Sequence, residues 1–218
     1  VFRFFIDFDI LSTEILDINT YAVSVQNVIC NIYNNPELKC IITKADNPKE
    51  VTKGDNVFIK QGYHFNWPDI NVDKNVALRI RENILISLNT IYGKAETFFD
   101  SWDKIIDKCV YDKNGLRLVG SDKCTYSDGK YTYENRVYNY YTTYIGNKLS
   151  ESCDDTYKCN LLKVIQDTSI RTDTQEITEF YDLPEYEETE EDFSSNESGN
   201  FTLLSNENSQ KNSILRFF

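Results

Sequence analysis

The amino-acid sequence predicts a mixed α/β (α+β) domain followed by an acidic, disordered tail, and three observations lead to this prediction. First, strand-like apolar runs are interspersed with segments whose apolar residues recur at helical spacing. Second, residues 1–172 are rich in Tyr, Phe, Ile and Val and are long enough to enclose one sizeable core. Third, the net charge of -12 is unevenly placed, because residues 1–172 carry 23 acidic and 21 basic side chains whereas residues 173–218 carry 12 and 2.

The strands are predicted from short apolar runs bounded by turn residues. Asn114 and Gly115 both tolerate positive φ, so they predict a hairpin turn between two of these runs. Residues 47–48 and 53–56 are predicted to be turns as well. The predicted strands are residues 2–10, 39–43, 56–67, 109–111, 116–118 and 138–145.

The helices are predicted from apolar residues that recur every three or four positions. Asn19 or Thr20 is expected to cap the first helix, which stops before residues 34–36. Asp73 is expected to begin the second helix and Gly93 to end it. Residues 98–106 predict a third helical face, and residues 161–165 predict a short helix or strand.

Two carboxylates interrupt the apolar run at the start of the chain. Alternate residues of a strand share a face, so Asp7 and Asp9 are expected to project side by side. Two like charges this close cost free energy unless a cation lies between them, and a divalent metal is the usual cation. The pair predicts half of a metal site, and the alternative is a strand that frays into solvent here.

Lys60, Gly62 and His64 alternate along another predicted strand and therefore share a face. His64 is the only histidine of the chain, and no nucleophile is identifiable beside it for Ser-His-Asp or Cys-His catalysis. One histidine also excludes the paired-histidine metal motif of a rolling-circle nickase. Two interpretations stay open for His64, which are a core side chain and a functional group.

Three segments, Asp7-Phe8-Asp9, Gly62-Tyr63-His64 and Ile105-Ile106-Asp107, follow one another in a characteristic order. They resemble the three motifs of the archaeo-eukaryotic primases, and most closely those of the primase-polymerase branch that includes primases of large DNA viruses. As in that branch, the third aspartate is followed by Val-Tyr, a predicted hairpin turn, Arg117 and Lys123. Residues 64–73 and 168–172 also resemble the viral members, so the resemblance spans residues 5–172.

The resemblance implies that residues 1–172 form an RRM-like primase-polymerase palm with flanking helices. It implies that Asp107 supplies a third carboxylate, so that Asp7, Asp9 and Asp107 are catalytic and hold Mg²⁺ or Mn²⁺ for two-metal nucleotidyl transfer. It also implies that the incoming nucleotide is bound by Lys60, Gly62, His64, Arg117 and Lys123.

Each of these positions has a plainer interpretation. For Asp107 it is a carboxylate of a solvent-exposed turn. For Arg117 and Lys123 it is solvated charges beside a hairpin, although the planar guanidinium of an arginine and the compact ammonium of a lysine also suit phosphate oxygens. Gly62 takes the place of a small residue and is expected to let a backbone N–H approach a phosphate. Asn114 departs from the family pattern, since some relatives carry a basic residue there.

The function implied is that of a DNA primase or polymerase core, which joins deoxy- or ribonucleoside triphosphates on a single-stranded DNA template during DNA replication. The alternative, from a different class, is a catalytically silent RRM-like nucleic-acid-binding or scaffolding module of a viral replication protein. A silent module has no physical need for the acidic triad and His64, which favours the enzyme. A bulky residue near the sugar would disfavour a 2′-hydroxyl, and Tyr63, Phe65 and Tyr111 are candidates.

Two features are candidates for template contacts. A basic cluster, Lys104, Lys108, Lys113, Arg117 and Lys123, follows one segment of a nearly neutral body. The Ser121 to Lys130 loop is the favoured contact. Seven tyrosines either stack on template bases or pack within the sheet, and packing is the more frequent use of alternating tyrosines. They are Tyr126, Tyr131, Tyr133, Tyr138, Tyr140, Tyr141 and Tyr144.

Residues 173–218 predict an acidic low-complexity tail or linker that cannot fold alone. Residues 179–193 mix acids with aromatics and resemble motifs that recruit single-strand-binding proteins, whereas residues 214–218 resemble a degenerate sliding-clamp motif. The alternative is a linker toward a helicase domain or protein. The chain begins at Val1 on the candidate catalytic strand and contains no methionine. We therefore expect a fragment of a longer protein, without the N-terminal segment that helps relatives to bind template.

The six cysteines form no CxxC pair, and the spacing of Cys153 and Cys159 is poor for zinc, so reduced thiols are expected. The sequence contains no signal peptide and no apolar stretch long enough to cross a bilayer. We expect an intracellular protein without a membrane partner, in a viral replication compartment of the host cytoplasm or nucleus.

Overall fold

A six-stranded antiparallel sheet forms the centre of the residues that this computed structural model describes, which are 1–94, 98–112 and 116–185. The strands are β1 Phe2–Ser12, β2 Lys39–Ala45, β3 Lys49–Lys53, β4 Asn56–Val72, β5 Cys124–Ser127, β6 Lys130–Tyr133, β7 Tyr138–Ile145 and β8 Lys148–Leu149. Their order in the sheet is β1-β4-β2-β7-β8, and β3 pairs with β4 outside this path. Strands β5 and β6 form a separate two-stranded hairpin.

Two long helices cover one face of the sheet and enclose the main core. The helices of the described residues are α1 Asn19–Ile32, α2 Lys74–Tyr92, α3 Trp102–Ile105, α4 Glu151–Cys159 and α5 Leu161–Thr168. Because side chains alternate along a strand, Phe4, Ile6 and Phe8 of β1 point into this core together with Phe65 and Trp67 of β4. The mixed α/β class predicted from the sequence is confirmed.

The opposite face of the sheet carries the predicted acidic residues of β1. Asp7 and Asp9 alternate with the core residues of β1, so their side chains lie on this second face. Beside them, Ile41 of β2 packs against Tyr157 and Val164 of the two C-terminal helices. The helices thus leave one end of this face open, and the predicted site residues lie there.

Several predicted boundaries are confirmed, and the second helix illustrates them. The side chain of Asp73 accepts a hydrogen bond from the N–H of Val76 at 2.8 Å, and Gly93 with φ 58° terminates α2. The first helix differs in its cap, since α1 begins at Asn19 and Ile18 precedes it without a side-chain hydrogen bond. Asn19 instead accepts a hydrogen bond from the hydroxyl of Tyr144 at 2.8 Å.

Other expected elements differ from the structure. Lys49–Lys53 forms strand β3, although its sequence has no apolar alternation, because it pairs with β4. The third helix is a single turn, and Cys109–Tyr111 is a 3₁₀ helix instead of a strand. Residues 116–118 form no strand, so the predicted hairpin strands are wrong, and its turn at Asn114 and Gly115 lies outside the described residues.

Residues 173–185, which the sequence assigns to the tail, run along the folded body. The N–H of Thr178 donates to the carbonyl of Asn71 and the N–H of Tyr181 to the carbonyl of Ile32, each at 2.8 Å, and Leu183 is buried. The remainder of the predicted tail, from residue 186, lies outside the described residues. Among the helices that are described, none combines the length and the apolarity that crossing a bilayer requires.

Candidate active site

The register of β1 against β4 places two pairs of candidate residues opposite each other. Asp7 pairs with His64, and Asp9 pairs with Gly62. Directly opposite residues of an antiparallel pair point to the same side, so the acidic residues and the histidine share the open face. The amino group of Lys60 lies 2.7 Å from Oδ2 of Asp9. The alternation inferred from the two sequence segments is therefore confirmed.

The third carboxylate, that of Asp107, belongs to a segment that lies along β1. Ile106 forms an isolated antiparallel bridge with Phe8, and the N–H of Asp107 donates to the carbonyl of Asp7 at 3.2 Å. Arg81 of α2, buried to 1% exposure, holds this segment. Its Nε donates to the carbonyl of Ile106 at 2.8 Å, and its Nη2 donates to the carbonyl and the carboxylate of Asp103.

The carboxyl group of Asp7 lies in an unusual environment. Its side chain is 21% exposed, yet Oδ1 has no hydrogen-bond partner. Burial, followed by the negative charges of Asp9 and Asp107, raises the pKa of Asp7 to about 7, while Lys60 and Arg117 act in the opposite direction. The three predicted acidic residues are thus close enough to repel one another.

These carboxylates fit a cation in their charge but are not yet arranged as its ligands. Within the described ranges, no group of three His, Cys, Asp or Glu side chains is positioned to hold a metal ion. Asp9 binds Lys60, and Oδ1 of Asp107 accepts a hydrogen bond from the N–H of Cys109 at 2.8 Å. The unpartnered Oδ1 of Asp7 is the observation that favours a cation, because a buried carboxylate oxygen without a partner is costly.

His64 is buried and uncharged. It is 3% exposed, and burial together with the charge of Arg117 lowers its pKa to about 3. Its Nε2 lies 3.7 Å from Oδ1 of Asp7, which is too long for a hydrogen bond, and a neutral imidazole forms no ion pair. The imidazole stacks on Tyr138, with ring centroids 3.6 Å apart.

Gly62 is required by close packing at this site. A Cβ at this position would lie 2.6 Å from the hydroxyl oxygen of Tyr138 and 2.9 Å from Oδ1 of Asp9. The space that a Cβ of residue 62 would occupy is therefore filled by these two side chains. The approach of the Gly62 N–H to a phosphate stays a prediction. Tyr138 is a site residue that the sequence analysis assigned only to packing or template stacking.

The two predicted cations after Asp107 have different surroundings. The guanidinium carbon of Arg117 lies 4.7 Å from the ring centroid of Tyr138, and its charge acts on both Asp7 and His64. Lys123 instead binds Glu134 at 3.1 Å. The structure thus brings Arg117 to the acidic residues, whereas Lys123 belongs to the base of the β5–β6 hairpin.

A cleft of about 320 Å³ opens beside Asp9 and Asp107. Lys53, Phe99 and Lys104 line its other side, and Lys104 is the member of the predicted basic cluster that reaches it. Lys113 of that cluster lies outside the described residues.

The three aromatic residues considered for sugar selection do not lie on the open face. Tyr63 and Phe65 alternate with His64 and belong to the core cluster. Tyr111 is also buried there, and its hydroxyl donates to the carbonyl of Phe5 at 2.7 Å.

The seven predicted tyrosines divide into three groups, of which one, Tyr140 and Tyr141, is half-buried. Tyr138 and Tyr144 are buried, as the packing interpretation expected. Tyr126, Tyr131 and Tyr133 are 64%, 66% and 60% exposed. Tyr126 pairs with Tyr131, and Tyr133 pairs with Cys124, so these four side chains occupy one face of the β5–β6 hairpin. The Ser121 to Lys130 segment is thus largely a hairpin with an exposed aromatic face.

Comparison with known proteins identifies the family of this chain. A sequence model of the family described as the C962R protein N-terminal AEP domain, where AEP denotes archaeo-eukaryotic primase, matches residues 1–138. The chain belongs to this family, which confirms the resemblance to primases of large DNA viruses. It is therefore a domain of the primase and polymerase type of nucleotidyltransferases. No curated protein and no solved structure matches the chain.

Proposed function

We propose that this domain is the catalytic core of a DNA primase-polymerase that joins nucleotides on a single-stranded DNA template with Mg²⁺ or Mn²⁺. The observation that carries the proposal is the buried Oδ1 of Asp7, which has no hydrogen-bond partner and lies beside two further carboxylates. A structural carboxylate would have been satisfied by the fold. A carboxylate that holds a cation is satisfied only when the cation binds.

Each residue of the site has a role that follows from its position. Asp7, Asp9 and Asp107 would hold the divalent ions, after Asp9 and Asp107 exchange their present partners. When bound, such ions neutralise triphosphate charge and activate the attacking 3′-hydroxyl. Lys60 and Arg117, whose charges both act on Asp7, supply positive charge for the triphosphate. His64 stays neutral, so it can donate one hydrogen bond without adding charge.

The aromatic face of the β5–β6 hairpin supports a contact with the single-stranded template. Every base offers a face for stacking, so exposed aromatic side chains bind single strands with little sequence preference. Tyr126 and Tyr131 lie 4.8 Å apart between ring centroids and leave most of their surface exposed. Lys130, the first residue of β6, is exposed next to Tyr131 and is available for the phosphate backbone.

The acidic tail remains a proposed recruitment segment. A single-strand-binding protein, a sliding clamp and a helicase domain are the partners expected from its sequence, and a viral replication compartment is the expected location. These proposals rest on the sequence alone.

The proposal is tested by Mn²⁺-dependent nucleotide incorporation on a poly-pyrimidine single strand, with and without a primer. The wild-type chain is compared with an Asp7→Ala, Asp9→Ala double variant, and circular dichroism checks that both are folded. Activity that the double variant loses supports the enzyme. If both folded proteins bind the single strand without incorporating nucleotides, the silent binding module is the correct alternative.

A further inference from the structure

Arg136 precedes β7 and is only 7% exposed, yet its Nε is buried without a hydrogen-bond partner. Among the described residues, no carboxylate lies within ion-pair distance of its guanidinium group. Burying a guanidinium without a counter-ion costs free energy that the fold does not recover. Such a residue indicates a ligand that supplies the missing negative charge.

The second buried arginine of the site shows what a structural arginine looks like in this domain. Arg81 is 1% exposed and directs its N–H groups to Ile106, Asp103 and Glu82. Its charge is balanced by carboxylates at 2.7 and 2.8 Å. Arg136 has no comparable set of partners, although it is nearly as buried.

The carboxylates nearest to Arg136 have other partners. Asp122 accepts hydrogen bonds from the backbone N–H groups of Lys123, Asn135 and Arg136 itself. Glu134 binds Lys123 at 3.1 Å. These bonds fix the base of the hairpin. The charge of Arg136 is one of the smaller causes that lower the pKa of Glu134, after Lys123, but neither carboxylate forms an ion pair with Arg136.

Arg117 and Tyr138 connect Arg136 with the candidate site. Nη1 of Arg117 donates to the backbone carbonyl of Arg136 at 3.1 Å, so the Arg117 side chain contacts the backbone of Arg136. Tyr138, two residues further along, stacks on His64 and lies beneath Arg117. The charges of both arginines lower the pKa of Tyr138 against the larger effect of burial, which raises it.

We propose that Arg136 is a nucleotide-binding residue whose guanidinium group, together with that of Arg117, binds the polyphosphate of a nucleoside triphosphate. The assignment rests on the proposed function and adds a residue that none of the three sequence motifs contains. It adds to the nucleotide contacts expected of Lys60 and Lys123, which stay predictions and which each contact a carboxylate here. The charges of Arg117 and Arg136 both act on Tyr138. Two guanidinium groups near one site suit a polyphosphate, which offers several anionic oxygens to planar donors.

The test measures binding of dATP and of inorganic tripolyphosphate by isothermal titration calorimetry, with adenosine as the ligand without phosphate. Arg136→Met and Arg136→Lys are compared with wild type and with Arg117→Met. Lys148→Met is the charge-matched control, since Lys148 is exposed on the far edge strand β8. Thermal unfolding of each ligand-free variant is recorded in parallel.

We expect Arg136→Met to weaken binding of both phosphate ligands by about tenfold or more, Arg136→Lys to weaken it less, and Lys148→Met to leave it unchanged. We expect ligand-free Arg136→Met to unfold at the same temperature as wild type or higher, because a buried unpaired charge is removed. A marked loss of its stability would show a structural arginine and overturn the assignment.

Two further outcomes separate this inference from the proposed function. If Arg136→Met binds tripolyphosphate within twofold of wild type while Arg117→Met does not, the role of Arg136 is refuted and the proposed function stands. If wild type itself binds neither dATP nor tripolyphosphate, both proposals fail.

Discussion

The imidazole of His64 stacks on the phenol ring of Tyr138, with ring centroids 3.6 Å apart and ring planes inclined by 20°. The two residues belong to β4 and β7, which are separated in the sheet by β2, so the stack spans a strand. Both rings are almost fully buried. The stack lies beside Asp7, and its Tyr138 hydroxyl occupies the space that a side chain at Gly62 would need.

Replacement of Gly62 by alanine tests this packing. A Cβ would meet the Tyr138 hydroxyl at 2.6 Å, and the stacked ring cannot move away freely. We expect Gly62→Ala to lower the free energy of unfolding by about 1–3 kcal/mol, as overpacking does. In a double-mutant cycle measured by urea unfolding, Tyr138→Phe should recover part of this loss. Equal losses with and without the hydroxyl would show that Tyr138 is not the obstacle.

The titration of Asp7 should make the metal-free protein less stable as the pH rises. Its native pKa is about 7 and its ordinary value is 3.8, so the native state holds an extra proton between these values. Stability from this group is therefore lost from about pH 4 to about pH 7, because ionisation is opposed by burial, Asp9 and Asp107 and only partly offset by Lys60 and Arg117.

Urea unfolding in EDTA at about pH 5 and about pH 7.5 checks this sign. Asp7→Asn should be more stable than wild type, by a margin that is larger at the higher pH, and added Mn²⁺ should narrow the margin. Asp69→Asn, which alters an exposed residue of β4, is the control and should follow the wild-type profile. A margin independent of pH would contradict the raised pKa.

His64 should stay neutral throughout the physiological range. Burial and the charge of Arg117 lower its pKa to about 3 from the ordinary value of 6.5. The chain has one histidine, so its ring signals in an NMR spectrum are assigned without ambiguity. Between about pH 5 and about pH 8 these signals should not shift in the folded protein, whereas they should titrate in urea. A midpoint near the ordinary value would place His64 in water.

Arg81 should be essential for both stability and activity, because it holds the segment that ends at Asp107. Arg81→Met leaves the carbonyl of Ile106 and the carboxylate of Asp103 without their donor. We expect a loss of about 3 kcal/mol in the free energy of unfolding. Asp103→Asn retains the hydrogen bonds from Arg81 to the carbonyls of Ile106 and Asp103, so it should lower the free energy of unfolding by less. If nucleotide incorporation by folded Arg81→Met equals that of wild type, the position of Asp107 does not depend on Arg81.

The aromatic face of the β5–β6 hairpin should contribute to binding of single-stranded DNA. Stacking of a base on an aromatic ring contributes about 1–3 kcal/mol. Changing Tyr126, Tyr131 and Tyr133 together to serine should therefore weaken binding of an oligo(dT) by at least about tenfold in fluorescence anisotropy. The triple change to phenylalanine keeps the rings and should bind like wild type. Equal affinity of the serine and phenylalanine variants would exclude this face.

Much of the site could be predicted from the sequence because it depends on alternation along single strands. Asp7 and Asp9 share a face, and so do Gly62 and His64, for the same reason that any two residues separated by one position do. The elements that were predicted wrongly are those in which the local sequence pattern favours one structure and tertiary contacts stabilise another. The apolar run at Cys109–Tyr111 suggested a strand, but the hydroxyl of Tyr111 reaches Phe5 from a 3₁₀ helix.

The sequence by itself determined the mixed α/β class, the acidic strand, the capped second helix and the family motifs, because each of these depends on residues that lie close together in the sequence. Only the tertiary structure decided which partners those residues have. The stack of His64 on Tyr138, the support of Asp107 by Arg81 and the unpaired guanidinium of Arg136 arise from the packing of distant segments. The spacing of residues along the sequence does not predict such contacts, because the free energy that stabilises them comes from burial and charge interactions in the folded core.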